Sequence, residues 1–220
     1  KKRDVVDIPS QWDVTRTVNR DIDQAHVTEV YNMSDIKWGT RECTVMGVLN
    51  RVYGGTESSR LFTEIREKRG LAYAVFSRRL NYEFATHLEM YFGTSKDKAW
   101  DVLNLVRDIQ HKLMDKKVPA KELDQVKEGM IGHNFVGFDN FETAAKSIGS
   151  RYLASGTEAD PYEFEERVRS ITADEVRDMA VKVFTCDSNC TAIVGPGNKS
   201  SEILPVKPKN TRKNNGKVHS

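Results

Sequence analysis

The hydrophobic period changes at Ser95, and that change narrows the possible folds more than any other feature of the chain. In residues 84 to 92, Phe84, Thr86, Leu88, Met90 and Phe92 face one way while Ala85, His87 and Glu89 face the other. Strict alternation of this kind marks an antiparallel strand with one covered face. After Ser95 the apolar residues Val102, Val106, Ile109 and Leu113 recur at helical spacing, the stripe of an amphipathic helix. A half-covered sheet followed by one-sided helices can bury both stripes only by stacking them. The expected class is therefore α+β: a two-layer sandwich with helices packed on one face of a mainly antiparallel sheet.

The rest of the chain fits this plan. Ala25, Val27 and Tyr31 alternate within residues 24 to 32, predicting a strand. Ser34 is a candidate cap for a helix carrying Val45, Leu49 and Val52. Gly54 and Gly55 are expected to end that helix in a left-handed cap. A short helix is expected from about Ser59 to Arg69, with Leu61, Phe62 and Ile65 inward and Gly70 as its stop. Residues 71 to 79 read as a strand, and Asn81 as a turn residue before the strand at 84 to 92. Pro119 fits the first position of another helix. Gly129, Gly132 and Gly137 predict an interruption in it, before a further helix ending near Gly156. Asp160 followed by Pro161, and Thr172 with Glu175 three residues on, are helix starts, the second a capping box. Val176, Met179, Ala180 and Val183 form the last helical face, and residues 189 to 194 a closing strand. The expected organisation is a linker at 1–12, one domain at 13–197 and a basic, disordered tail at 198–220.

Charge and cysteine content exclude several roles. A net charge of +2 marks no nucleic-acid binder, and the tail lacks interleaved aromatic residues. No apolar run is long enough to span a bilayer, and no signal peptide is visible. Cys43 sits in a helical apolar pattern and reads as core. Cys186 and Cys190 have no second ligand pair nearby, so a zinc knuckle is not indicated. Without a disulfide framework the chain fits a reducing, cytoplasm-like compartment.

Self-sufficient catalysis finds no support. No two of His26, His87, His111, His133 and His219 lie three to five residues apart, and neither HExxH nor HxxEH occurs, so no helical turn offers a histidine pair to one metal. His87 and Glu89 share a strand face without a third ligand, which reads as solvated sheet. Ser58 and Ser59 lack the GxSxG elbow. Gly54 and Gly55 are not followed by the Lys and Ser/Thr of a phosphate loop.

Residues 54 to 75, GGTESSRLFTEIREKRGLAYAV, carry the most specific signal. A helix ending in Gly54 and Gly55 precedes Ser59, Arg60, Leu61 and Phe62. Then come Arg66, Glu67, Lys68, Gly70, Leu71 and Tyr73. This ungapped run resembles the C-terminal-half signature of the pitrilysin/insulinase/mitochondrial processing peptidase superfamily. The likeness extends more loosely over about residues 12 to 197, from Gln24, Ala25 and His26 through Thr172, Glu175 and Val176 to Val194, Gly195 and Pro196.

The resemblance implies a processing-peptidase-like half-domain, catalytically incomplete alone, whose partner is an HxxEH-bearing half in the same parent polypeptide or a separate subunit. Zinc would sit in that partner, with no metal bound by this chain. It also implies that Arg66 and Tyr73 serve the shared site: the guanidinium forks onto substrate carbonyl oxygens, and the phenol donates to the oxyanion formed as a peptide carbonyl is attacked. On the residues alone, Arg66 could equally be a cation at a helix C-terminus and Tyr73 a packing residue beside Leu71 and Val75. Two other roles stay open: a non-catalytic scaffold subunit of the same fold, and an adaptor working through the basic tail. Extended peptide could add to a sheet edge, though the sequence does not say which.

Overall fold

The computed structural model describes residues 12–20, 22–82 and 85–195. Five strands form one sheet in the order β1-β5-β2-β4-β3. These are β1 (Trp12–Asn19), β2 (Gln24–Met33), β3 (Ala74–Asn81), β4 (Thr86–Ser95) and β5 (Ser188–Gly195). Three neighbouring pairs are antiparallel and β1 runs parallel to β5. Six α-helices accompany them: α1 (Arg41–Tyr53), α2 (Ala99–Asp115), α3 (Ala120–Asp139), α4 (Phe141–Ser155), α5 (Pro161–Arg169) and α6 (Ala173–Phe184). A π-helical turn occupies Phe62–Glu67. The α+β sandwich read from the sequence is the architecture observed.

Alternation places the core. Val27, Tyr31 and Met33 of β2 and Leu88, Met90 and Phe92 of β4 are buried beneath the helices. Met46, Leu49 and Val52 of α1, Val102, Val106 and Leu113 of α2 and Val176 and Val183 of α6 meet them from above. Each such aliphatic or aromatic side chain contributes about 1.5–3 kcal/mol on leaving water. Cys43 is buried in this core, as its pattern indicated.

One polar network is buried between the layers. Glu29, 2% exposed, takes two hydrogen bonds from Arg107 of α2 and one from the Tyr31 hydroxyl at 3.0 Å. Gln110 donates to the hydroxyls of Tyr31 at 2.9 Å and Tyr53 at 2.8 Å. Burial, with the neighbouring Glu29 carboxylate, pushes the Tyr31 phenol well above its ordinary range, which holds it as a neutral donor. Phe184 packs edge-on against both tyrosine rings.

Several local expectations are corrected. Ser34 does not cap α1. It lies in the turn after β2, and Thr40 is the cap, its side-chain oxygen accepting from the Cys43 N–H at 3.3 Å. Gly54 is not left-handed, with φ −155°. It is required because a Cβ there would come within 2.6 Å of the Ser77 nitrogen, whose N–H donates to the Gly54 carbonyl at 2.9 Å. That bond ties the outer edge of β3 to the end of α1. The helix expected over 59–69 is largely π-helical, and Phe62 is half-buried rather than inward. The strand expected at 71–79 starts at Ala74, and Asn81 is its last residue rather than a turn. Pro119 is the cap of α3, one position before its first turn. α3 runs unbroken through Gly129, Gly132 and Gly137, and the break falls at Asn140, whose side chain caps α4.

Other expectations hold. Gly156 ends α4 in the left-handed region, Asp160 caps α5, and Thr172 and Glu175 form the capping box of α6. β1 was missed although Trp12, Val14 and Val18 alternate with Asp13, Thr15, Thr17 and Asn19, because Arg16 interrupts the apolar set. Phe84, residues 1–11 of the expected linker and the tail at 198–220 lie outside the described residues.

Candidate functional site

The segment from Ser59 to Tyr73 is held from three directions. Arg60 forks onto Glu122 of α3 through two hydrogen bonds of 2.9 Å. Leu61 and Ile65 are fully buried, docking the turn on the core. Beyond the π-helical turn, Gly70 N–H returns to the Arg66 carbonyl and Leu71 N–H to that of Ile65, both at 3.0 Å. Gly70 makes this reversal with φ +59°, a region where a Cβ is penalised. The chain then joins the sheet: Thr94 Oγ1 donates to the Leu71 carbonyl, and Tyr73 N–H donates to Gly93 O at 2.8 Å. The segment's cross-links thus join Arg66 and Tyr73 to the end of the sheet where β3 begins.

The charges here sort themselves in a telling way. Lys68 and Arg69 both bind Glu64, at 2.6 and 2.7 Å. Their hydrogen bonds, that of Lys68 first, hold the Glu64 carboxyl at about 2. The Arg66 side chain makes no ion pair or hydrogen bond among the described residues. Its guanidinium lies 5.0 Å over the Phe62 ring. Stacking on a ring face steadies the planar group without engaging its in-plane N–H donors. Tyr73, immediately before β3, is 65% exposed, and its hydroxyl has no hydrogen-bond partner among the described residues. Two donors in adjoining positions are thus free, although no contact joins them.

Sequence reasoning missed a neighbouring pair. His26 stands opposite Gly93 in the sheet register, and its Nδ1 lies 2.8 Å from the Tyr91 hydroxyl. Tyr91 also packs on Phe76 with ring centroids 5.2 Å apart. These side chains belong to the sheet face turned away from the core. Period two was the signal that could have found them: residues 26, 76 and 91 all alternate with buried neighbours. Farther along that face, Glu89 pairs with Arg78 at 2.8 Å and His87 meets the Tyr82 ring edge-on.

A small cavity of about 120 Å³, lined by residues including Arg51, Thr56, Ser58 and Gln125, adjoins the loop after α1 and contains neither Arg66 nor Tyr73. Among the described residues, no group of three or more His, Cys, Asp or Glu side chains is gathered so as to hold a metal ion. Nor is any helix of those residues long and apolar enough to cross a membrane.

The fold is an α+β half-domain with free hydrogen-bond donors and, among the described residues, no ligand set for a metal. The family model for the peptidase M16 inactive domain matches residues 2–130, and the chain belongs to that family. It is 31% identical over 163 residues to an uncharacterised zinc protease of Streptomyces coelicolor, covering 74% of this chain and 35% of the relative. An uncharacterised zinc protease of Bacillus subtilis is 28% identical over 185 residues, covering 84% of this chain and 45% of the relative. The chain therefore spans less than half the length of these curated relatives. Among solved structures, a protease from Helicobacter pylori superimposes with a TM-score of 0.77 at 17% identity, over 86% of this chain and 45% of that one. A peptidase M16 inactive domain from Pseudomonas fluorescens gives 0.68 at 20% identity, over 86% and 45%. At these identities the structural likeness speaks to the fold.

Proposed function

We propose that this chain is the substrate-binding C-terminal half of a zinc peptidase, supplying Arg66 and Tyr73 to an active site whose metal ligands lie on a separate HxxEH-bearing half. The carrying observation is the pair of unused donors: a guanidinium steadied on Phe62 and an exposed phenol, at the ends of one tightly cross-linked segment. The segment's other cations are paired, Lys68 and Arg69 with Glu64 and Arg60 with Glu122. The described residues do not fit a zinc site, so no catalytic step is assigned to a metal here. What this half contributes is binding and charge stabilisation. Arg66 grips substrate carbonyl oxygens in a planar fork, and Tyr73 donates to the oxyanion in the transition state.

The test is reconstitution. The chain alone is expected to show no peptidase activity, and a co-purified HxxEH-bearing half is expected to restore it. In the restored enzyme, Arg66→Ala is expected to raise KM while folding is unchanged, because a substrate-gripping contact is made in ground and transition states alike. Unaltered kinetics in that variant would refute the role given to Arg66.

A further inference from the structure

One cation of α1 is left unanswered by the fold. Arg51 stands in the last turn of that helix, half-buried, and its side chain makes no ion pair or hydrogen bond among the described residues. Burial pushes its guanidinium below the ordinary value, whereas Arg41, Arg78 and Arg169 are each raised, first by a hydrogen bond to a carboxylate. A partly desolvated cation with five N–H donors and no acceptor is costly to keep. The C-terminal dipole of α1 favours a positive charge at this position. It supplies no free acceptor at Asn50, whose carbonyl already takes the Gly54 and Gly55 N–H groups at 2.9 and 2.8 Å.

The open cavity of about 120 Å³ that Arg51 borders is lined with further donors. Gly55 has no room for a Cβ, which would come within 2.6 Å of Asn50 Nδ2, so the loop folds tightly against the end of α1. Its turn is closed by the Ser59 N–H on the Thr56 carbonyl at 3.1 Å. The Thr56 and Ser58 hydroxyls, 3.2 Å apart, belong to residues that line the cavity. Gln125 adds an amide from α3. Glu122 also lines it, but both its oxygens take hydrogen bonds of 2.9 Å from Arg60. Glu57, in the same loop, is exposed and outside the lining. With the Arg60–Glu122 pair neutral, Arg51 is the uncompensated charge. The volume is that of about four waters, room for a phosphate group or a carboxylate.

We infer that this cavity binds a small oxyanion, a phosphate group or a carboxylate, held by the Arg51 guanidinium together with the Thr56 and Ser58 hydroxyls and the Gln125 amide. The site is separate from Arg66 and Tyr73, neither of which lines the cavity, and does not depend on their proposed roles.

The full chain is titrated with inorganic phosphate and, separately, with sodium acetate, at constant ionic strength in chloride, and followed by calorimetry and amide NMR shifts. At least one of the two anions is expected to bind saturably, with shifts centred on residues 51–58 and 125. Arg51→Gln is expected to weaken that binding at least about tenfold, as loss of a charge-assisted contact does. Gly129→Leu keeps every donor but fills the cavity from α3, where an added Cβ meets nothing within 4 Å, and is expected to abolish binding. Lys112→Gln removes an exposed cation of α2 and is expected to change the affinity by less than about twofold, as a screened surface charge does. Tighter binding of phosphate than of acetate supports a site for phosphate groups, and the reverse a site for carboxylates. Binding of neither anion, binding indifferent to Arg51→Gln or to Gly129→Leu, or an equal loss in Lys112→Gln overturns the inference. If Arg51→Gln melts far below the parent, Gly129→Leu alone decides.

Discussion

Removing the Arg107 guanidinium would strand the Glu29 carboxylate in the core, where only Tyr31 and Gln110 remain to solvate it. Breaking a buried pair from one side costs about 3–5 kcal/mol, while replacing both partners with apolar groups is often neutral. Urea unfolding should therefore show Arg107→Ala destabilised by about that amount and Glu29→Met with Arg107→Met much less affected. Equal losses in the two would show that the pair, rather than the orphaned charge, matters. Tyr73 and Arg66 illustrate the opposite condition. Neither side chain is hydrogen-bonded or ion-paired, so Tyr73→Phe and Arg66→Ala should leave the unfolding free energy within about 1 kcal/mol of the parent, the Arg66 change losing only its stack on Phe62. Both residues were singled out in the sequence because the run from residue 54 to 75 is long and ungapped. Their free donors were not, because the sequence cannot say that Lys68 and Arg69 both turn to Glu64 while Arg66 stacks on Phe62.

At the scale of elements, the start of α6 is bound to α1 through one carboxylate. Glu175 accepts from Arg41 at 2.7 Å and from Thr172 of its own capping box. The Arg41 hydrogen bond, followed by those from Thr172, lowers the Glu175 carboxyl from 4.5 to about 2. Because the folded value is the lower one, this contribution is complete above about 4.5 and is lost as pH falls from there toward 2. Arg41 is largely solvent-exposed, so screening limits the effect to about 1 kcal/mol. Denaturant titrations should show Glu175→Gln weaker than the parent by roughly that amount at pH 7, with the gap closing on acidification. A gap that widened at low pH would contradict the assignment. In α3, a Cβ added at Gly129 or Gly132 meets nothing within 4 Å. Each change to Ala should therefore stabilise the chain by about 0.5–1 kcal/mol, read as a higher urea midpoint. The glycines were expected to break this helix. Packing through Leu123, Met130 and Ile131 outweighs their poor propensity. Caps such as Asp160 and Thr172 were legible because their chemistry is local. The true cap of α1 was not, because the buried Ile36 and the turn after β2 decide where that helix begins.

The described residues form a two-layer body with helices packed on one face of the sheet. The layers were legible from the two hydrophobic periods. The parallel β1–β5 pairing was not, since it joins residues near opposite ends of the chain through backbone bonds. The family and the share of its relatives that the chain spans fit one half of a peptidase. The most direct test titrates a zinc-loaded HxxEH-bearing half with this chain, unsubstituted and as Tyr73→Phe, and reads kcat for a peptide at saturation. Both forms should saturate at the same concentration, with kcat lower in the variant by about 10²–10³, the effect of removing one oxyanion donor. Equal kcat for the two forms, or peptide cleavage by this chain with no partner added, would contradict the account.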